Sequence, residues 1–243
     1  MDIGIDTDEL IPGVLPRKVA KGTKNFAKEP AMTEEEVLKA IETGIQLVQQ
    51  CHREGYEILA TGEMGIGNTT TSTAVAAALL DLAVEQVTGK GAGLTDEALK
   101  RKCRVIKEAI EKYSLRDADA FTILKTVGGL DIAGLTGVFI GAAIEQIPVV
   151  IDGVISAVAA LLAETLCKGA VNYMIPSHKS RELAETAIMK KLHLDPVLDA
   201  DMALGEGTGA VMMMSLLDVA LGVYLQGASF ANFEIEQYKR YEE

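Results

Sequence analysis

The segment with the clearest capacity for chemistry reads GEMGIGNTTT and covers residues 62–71. Its three glycines permit backbone conformations closed to other residues and bring N–H groups toward a ligand. Asn68 and Thr69 follow at the start of an Ala- and Leu-rich helix, an arrangement typical of an anion cradle. A tight strand-to-helix turn fits the glycine spacing equally well. The segment matches neither the Walker loop nor the dinucleotide fingerprint.

A carboxylate between glycines marks a second segment, LGEGTGA, which covers residues 204–210. Glu206 lies there directly before an apolar helix. Held in an apolar surround, its carboxyl would have a raised pKa and suit general-base catalysis. The alternative is that Glu206 only favours a helix N-terminus, and the sequence alone leaves both interpretations open.

A third segment, GKGAGL, begins at Gly89 and again precedes a helix. Lys90 and Lys102 stand close to it in sequence and are candidates to bind a phosphate. A lysine on a helix is also commonly solvated without binding a ligand.

Charge and composition limit the possible partners. The formal net charge of −12 argues against an electrostatic grip on nucleic acid or anionic lipid, and favours a small-molecule substrate. Cys51, Cys103 and Cys167 form no disulfide framework or zinc pattern, and the three histidines lack paired spacing. We therefore expect neither a metal nor a cofactor.

Neither a signal peptide nor a membrane span is expected. Met1 is not followed by a charged start and an apolar core. The most apolar stretch, residues 132–163, is interrupted by Glu145, Pro148 and Asp152 before it reaches the length of a span. A cytoplasmic protein is expected.

Short β-rich runs alternate with longer helical runs, which predicts βα units and a parallel sheet. One compact domain over residues 1–243 is the simplest organisation. The predicted strands are Asp2–Ile5, Glu57–Ala60, Val149–Ile151 and Tyr173–Ile175.

Four helices are predicted from capping residues and apolar spacing. Thr33 with Glu36 forms a capping box before the first, and Thr95 opens the second. The third covers residues 180–192. The fourth covers residues 210–224 and, because it is so apolar, is expected to be largely buried.

Taken together, these segments resemble the nicotinate-nucleotide:dimethylbenzimidazole phosphoribosyltransferases over nearly the whole chain, in the same order and at similar spacing. The matching motifs are DIGID from Asp2, VAKGTKNFAKEPAMT from Val19, GEMGIGNTTT from Gly62, GKGAGL from Gly89, KTVGGLDIAGLTGVFIGAA from Lys125, PVVIDG from Pro148, YMIPSH from Tyr173 and LGEGTGA from Leu204.

The resemblance implies an α/β fold with three α/β/α layers and a mostly parallel, Rossmann-like sheet. It also implies a reaction without a metal, in which nicotinate mononucleotide loses nicotinate. The nitrogen of an incoming base then attacks C1 of the ribose from the opposite face and gives an α-ribazole phosphate.

Roles for individual residues follow from the same resemblance. Glu206 would be the general base, and Glu63 a second active-site carboxylate beside the ribose. Lys102 would reach the phosphate. The remaining residues expected to bind substrate are Gly62, Met64, Gly65, Gly67, Asn68, Thr69, Gly91, Ala92, Asp152, Ser177, His178, Gly205 and Gly207. Asp152 fits a helix cap equally well.

The sequence departs from the family at its start, because members normally carry a substantial region before the DIGID strand that builds much of the acceptor pocket. We expect either a fragment or a separate chain that supplies this region, together with the homodimer usual in the family. The acceptor base is open, since some relatives use phenolic bases. A non-catalytic nucleotide-binding paralogue is the alternative function. The tail from Phe230 to Glu243 would pack on a second subunit or form a solvated helix.

Overall fold

The computed structural model describes residues 1–89, 93–228, 232 and 236 of the chain. Across these residues the chain alternates helices with short strands. The α-helices are α1 Glu34–Arg53, α2 Thr69–Leu80, α3 Val84–Val87, α4 Asp96–Lys112, α5 Ala120–Val127, α6 Leu130–Glu145, α7 Val154–Leu166, α8 Leu183–Leu192 and α9 Thr208–Gln226. The strands are β1 Leu59–Ala60, β2 Val149–Ile151 and β3 Met174–Pro176.

The three strands form one parallel sheet in the order β1-β2-β3. Successive strand residues point to opposite faces of a sheet. Val149 and Ile151 accordingly join the large core built with the helices, whereas Val150 packs on the other face with Ala210 and Met213 of α9. The sheet therefore lies between a thick helical layer and α9, which confirms the predicted α/β arrangement.

Local sequence signals account for several elements. The Thr33 hydroxyl accepts a hydrogen bond from the Glu36 amide and the Glu36 carboxylate accepts one from the Thr33 amide, so the predicted capping box begins α1. Thr95 caps α4 in the same way, through the Ala98 amide. The predicted bounds of β2 are also confirmed.

Several predicted elements differ from those observed. The strand predicted from Glu57 begins at Leu59, the strand predicted over Tyr173–Ile175 covers Met174–Pro176, and the last helix, predicted over residues 210–224, covers Thr208–Gln226. Residues 2–5 form no strand, because the Asp2 carboxylate accepts hydrogen bonds from the amides of Gly4 and Ile5 and curls the segment, leaving one isolated bridge to Pro16. The helix predicted from Ser180 begins at Leu183, since the Ser180 hydroxyl binds the Glu182 amide in a turn.

The prediction that the last apolar helix is largely buried is wrong. Only Gly209, Ala210 and Met213 of α9 are buried, and Val219, Val223 and Tyr224 are 65%, 70% and 83% exposed. The helix packs on the sheet through its first turns and then continues beyond it. Within the described residues it is the one helix long and apolar enough, by length and composition alone, to cross a membrane. Asp218 lies near its middle.

Candidate active site

The loops that leave the three strands meet at one edge of the sheet. Thr61 follows β1, Asp152 follows β2 and Ser177 follows β3. Ligands of open parallel sheets bind beyond this carboxyl edge. The turn before α9 joins the same edge, because a Cβ added at Gly62 would come within 2.8 Å of the Gly207 Cα atom.

The two carboxylates that the sequence singled out lie on touching segments. The backbone amide of Glu206 donates a hydrogen bond of 3.0 Å to the carbonyl oxygen of Glu63. Glu63 is half-buried and its Oε2 accepts from the Gly65 amide, which folds the side chain back over its own turn. Glu206 has an exposed side chain. The same edge of the sheet thus carries both glutamates.

The backbone around Glu206 is unusual. Gly205, Glu206 and Gly207 have φ angles of 73°, 59° and 82°, so three successive residues lie in the left-handed region. This region is unfavourable for a residue with a Cβ atom, and Glu206 is the one of the three that has one. The Thr208 hydroxyl and amide both bind the Gly205 carbonyl oxygen, at 2.8 Å and 3.0 Å, and close the turn.

Asp152 holds this turn from below. Its Oδ2 accepts a hydrogen bond of 3.0 Å from the Gly207 amide, and its Oδ1 accepts from the amides of Gly209 and Ala210 at 3.0 Å and 3.3 Å. The Asp152 side chain is buried, and its own amide donates to the Thr61 hydroxyl at 3.3 Å. The carboxylate therefore caps α9 from a different element of the fold.

The N-terminus of α2 differs because Asn68 makes no side-chain capping bond to it. Asn68 is buried, its Nδ2 donates to Asp131 at 2.7 Å, and its Oδ1 has no hydrogen-bond partner among the described residues. Asp131 lies in the first turn of α6 and was not predicted from the sequence. An acid opening an otherwise apolar helix was the available signal.

Lys102 supplies a cation beside this helix end. It projects from α4, is 7% exposed, and places its Nζ 3.2 Å from the Thr69 hydroxyl at the start of α2. Burial lowers the pKa of Lys102, and the nearby Glu182 carboxylate partly opposes that shift. Lys102, which the sequence associated with the second glycine segment, therefore lies beside the helix that follows the first.

Ser177 and His178 lie beneath the cleft surface. Both are buried, the Ser177 hydroxyl is 2.9 Å from Nδ1 of His178, and the His178 ring packs against Gly209. Burial lowers the pKa of His178, with Asp152 partly opposing the shift. Their position favours support of the α9 turn over direct contact with a ligand.

Glu185 is a further buried group that sequence reasoning missed. It lies on α8, is 2% exposed, and neither carboxyl oxygen makes a hydrogen bond of normal geometry to the described part of the chain. Burial raises its pKa to about 8, the Ser180 hydroxyl and amide partly oppose the shift, and Asp152 and Glu182 add to it.

The remaining predicted residues fall into two groups: some lie outside the described residues, and others lie on the surface. Gly91 and Ala92, together with Lys90, lie outside the described residues, as does most of the tail from Phe230. Met64, Gly65, Gly67 and Gly205 line the outer surface of the two touching turns. Within the described residues, no group of three or more His, Cys, Asp or Glu side chains is arranged to hold a metal ion.

Comparison with known proteins gives the class to which this fold and site belong. A family model described as a phosphoribosyltransferase matches residues 1–235. The chain belongs to this family.

Individual relatives carry a more specific name. The nicotinate-nucleotide-dimethylbenzimidazole phosphoribosyltransferase of Acetivibrio thermocellus is 48% identical over 239 residues, which are 98% of this chain and 68% of the relative. The enzyme of the same name from Chloroflexus aggregans is 46% identical over 240 residues, again 98% and 68% of the two chains. The chain thus spans about two thirds of the length of these relatives.

A solved structure agrees with both. CobT from Thermus thermophilus superimposes with a TM-score of 0.91 at 36% identity, over 98% of this chain and 71% of that one. The resemblance stated from the motifs is therefore confirmed, and so is the α/β fold it implied.

Proposed function

We propose that this chain carries the donor site and the catalytic carboxylates of an enzyme that transfers the phosphoribosyl group of nicotinate mononucleotide to dimethylbenzimidazole or a related base. The products are nicotinate and an α-ribazole 5′-phosphate. The observation that carries the proposal is the direct hydrogen bond between the Glu63 and Glu206 segments beside the open N-terminus of α2. The names of the relatives support it.

The donor binds at the α2 end of the cleft. Free amides at a helix N-terminus and a neighbouring cation favour a phosphate, and the first turn of α2 with Lys102 provides both. The acidic chain repels anions overall, so this local site must supply the attraction. The ribose then lies toward Glu63, whose negative charge stabilises the positive charge that develops on the sugar.

The acceptor binds on the Glu206 side. A lone pair on its ring nitrogen forms the new bond to C1 of the ribose while the bond from C1 to the pyridinium nitrogen breaks, and that electron pair neutralises the departing nicotinate ring. Glu206 takes the ring N–H proton of the acceptor. The chain's part is to hold two substrates in line and accept one proton, and no metal enters this scheme.

Apolar side chains flank the two carboxylates. Met64, Ile66 and Leu204 are 63%, 76% and 68% exposed on the touching turns. Exposed apolar groups beside catalytic carboxylates favour a flat aromatic acceptor. They do not distinguish a benzimidazole from a phenol, so both belong to the proposed acceptor class. With a phenol, the hydroxyl oxygen would form the bond to C1 while the bond to nicotinate breaks, and Glu206 would take the hydroxyl proton.

The proposal includes a protein partner that covers α9. A helix that is apolar on all sides is normally buried, and α9 is exposed over most of its length. A second copy of this chain is the first candidate, and a separate chain equivalent to the unmatched third of the relatives is the other. Light scattering on the purified chain separates them, since a dimer mass supports the first and a monomer that binds the separate chain supports the second. We place the assembly in the cytoplasm.

A direct assay tests the activity. The chain is incubated with nicotinate mononucleotide and dimethylbenzimidazole, and free nicotinate and the ribazole phosphate are measured by chromatography. Equal amounts of both products, dependent on the base, are expected. Nucleotide binding without nicotinate release, in the presence of the α9 partner, would favour the non-catalytic paralogue.

A further inference from the structure

The turn that bears Glu206 needs to be held by something outside itself. Three successive left-handed residues are an unfavourable run, and the middle one is the non-glycine Glu206. Such backbone persists only where the surroundings determine it. The side chain of Glu206 is exposed, so side-chain packing does not fix the turn.

Two other segments fix this turn through the backbone. The Glu63 carbonyl oxygen binds the amide of Glu206 itself. Asp152 binds the amide of Gly207, the next residue, and then the amides of Gly209 and Ala210 in the first turn of α9. Successive N–H groups in such a turn form a concave site for an anion, and here the anion is a side chain of the protein.

The surroundings of Asp152 favour a structural role for its carboxylate. It is 3% exposed, and both oxygens accept hydrogen bonds from backbone amides. Burial and these three bonds direct the carboxylate at the turn and not at a substrate. It also directs negative charge at the N-terminus of α9, which stabilises that helix end.

We propose that Asp152 is a positioning residue for the proposed transfer reaction, because it fixes the turn that aims the Glu206 carboxylate at the acceptor. Its Oδ2 accepts from the amide of Gly207, directly after Glu206, and its Oδ1 accepts from the amides of Gly209 and Ala210. Loss of this clamp would let the turn relax away from the left-handed region and move Glu206 relative to Glu63. The inference rests on the proposed function, and its test includes amide hydrogen exchange, which does not depend on that function.

The test compares Asp152→Asn with Asp119→Asn as a matched control. Asp119 also caps a helix, α5, by accepting from the Thr122 amide, but it lies at the end of α5 remote from Gly129 and the cleft. For Asp152→Asn we expect kcat to fall roughly 100-fold, as a misplaced catalytic group does, with KM for nicotinate mononucleotide changed less than about 3-fold. Asp119→Asn should retain wild-type kcat.

A double variant separates positioning from general stability. In a Glu206→Gln background, Asp152→Asn should lower kcat by less than about 3-fold, since there is no base left to aim. A full 100-fold loss in that background would overturn the proposal. If Asp152→Asn does not bind the nucleotide, Asp152→Glu is used in the same cycle, and multiplicative losses there would overturn it as well.

Amide hydrogen exchange tests the clamp without turnover. The amides of Gly207, Gly209 and Ala210 should be protected in the wild type and in Asp119→Asn, and should exchange faster in Asp152→Asn. Unchanged protection in Asp152→Asn would overturn the proposal whatever the activity. A wild-type chain that shows the protection but no transfer with its α9 partner counts against the proposed function and leaves the clamp supported.

Discussion

Two helices begin at the cleft, and the chain treats their N-termini in opposite ways. At α2 the capping residue Asn68 turns its amide toward Asp131 and leaves the helix end open, with Lys102 beside it. At α9 the helix end is closed by the buried carboxylate of Asp152. A phosphate is attracted to the first end and excluded from the second, since an internal anion already occupies it.

The difference gives each end a separate task. In the proposed function, the open, basic helix end holds the charged part of a nucleotide donor. At the closed end the Asp152 carboxylate already meets the positive field of the helix terminus, so that end does not compete for the donor's phosphate. The segment of Glu63, which leads to α2, is hydrogen-bonded to the segment of Glu206, which leads to α9. In the proposed function, donor and base are thereby kept adjacent but distinct; three substitutions test this division, and a fourth tests the buried Glu185 carboxyl.

Glu206→Gln should have the largest effect, because it removes the proton acceptor while leaving the donor end intact. We expect kcat for transfer to fall by about 10²–10⁴-fold, with nicotinate mononucleotide affinity within a factor of about 3 of wild type. Product formation and calorimetric titration measure the two quantities. Glu57→Gln, an exposed carboxylate before β1, is the control. Wild-type kcat in Glu206→Gln would remove this residue from the mechanism.

Glu185→Gln should change how stability depends on pH. The pKa of Glu185 is raised to about 8 in the folded chain from an ordinary value near 4.5, so the folded state holds a proton that the unfolded state releases between these values. Stability contributed by this proton is present at low pH and is lost as pH rises through this window, at up to about 1.4 kcal/mol per pH unit.

Removing the titrating group should remove that slope. Urea unfolding at pH 5.5 and pH 8.5 is expected to show a smaller loss of unfolding free energy in Glu185→Gln than in the wild type, by on the order of 2–3 kcal/mol. The exposed Asp195→Asn is the control and should keep the wild-type slope. If Glu185→Gln kept the wild-type dependence of unfolding free energy on pH, the pKa of Glu185 would not be raised in the folded chain.

Lys102→Met should weaken the donor end alone. A charge-assisted hydrogen bond to the phosphate would be lost, so KM for nicotinate mononucleotide is expected to rise about 10- to 100-fold with a smaller change in kcat. Steady-state kinetics with varied nucleotide measure it. Lys100→Met, an exposed lysine on the same helix, should leave KM unchanged. A loss confined to kcat would contradict the division between the two ends.

Asp131→Asn should have the smallest effect. Because the Asp131 carboxylate can only accept a hydrogen bond, it must face the Nδ2 atom of Asn68, and this fixes the direction of the Asn68 Oδ1 atom. An amide at position 131 could donate as well as accept, so Asn68 could take either orientation. KM for the nucleotide is expected to rise about 3- to 10-fold. The exposed Asp117→Asn serves as the control in the same kinetic assay. No change in Asp131→Asn would show that the orientation of Asn68 does not matter for binding.

The parts of the fold that local chemistry determines were predictable from the sequence. The capping box at Thr33 and the cap at Thr95 depend on residues three positions apart, and both helices begin as predicted. The strand at Val149 is a short apolar run bounded by Pro148 and Asp152, and its bounds were also correct. The strand predicted at Asp2–Ile5 was wrong because the Asp2 carboxylate accepts hydrogen bonds from the amides of Gly4 and Ile5, which a strand would have used.

What depends on distant contacts was not predictable. The clamp by Asp152 joins residues 55 to 58 positions apart, and the Asn68–Asp131 bond joins residues 63 apart. The raised pKa of Glu185 arises from burial between elements that no local pattern connects. The burial of α9 was predicted wrongly because apolar sequence shows that a helix needs a cover, not which polypeptide provides it.

The bare length of α9 also bears on how the chain behaves in a cell. Val219, Val223 and Leu225 would be exposed to solvent on a newly synthesised chain, and exposed apolar surfaces of this kind promote aggregation and chaperone binding. Any cover that binds only the folded chain also raises its melting temperature by mass action. The melting temperature should therefore rise with the concentration of any chain that binds α9.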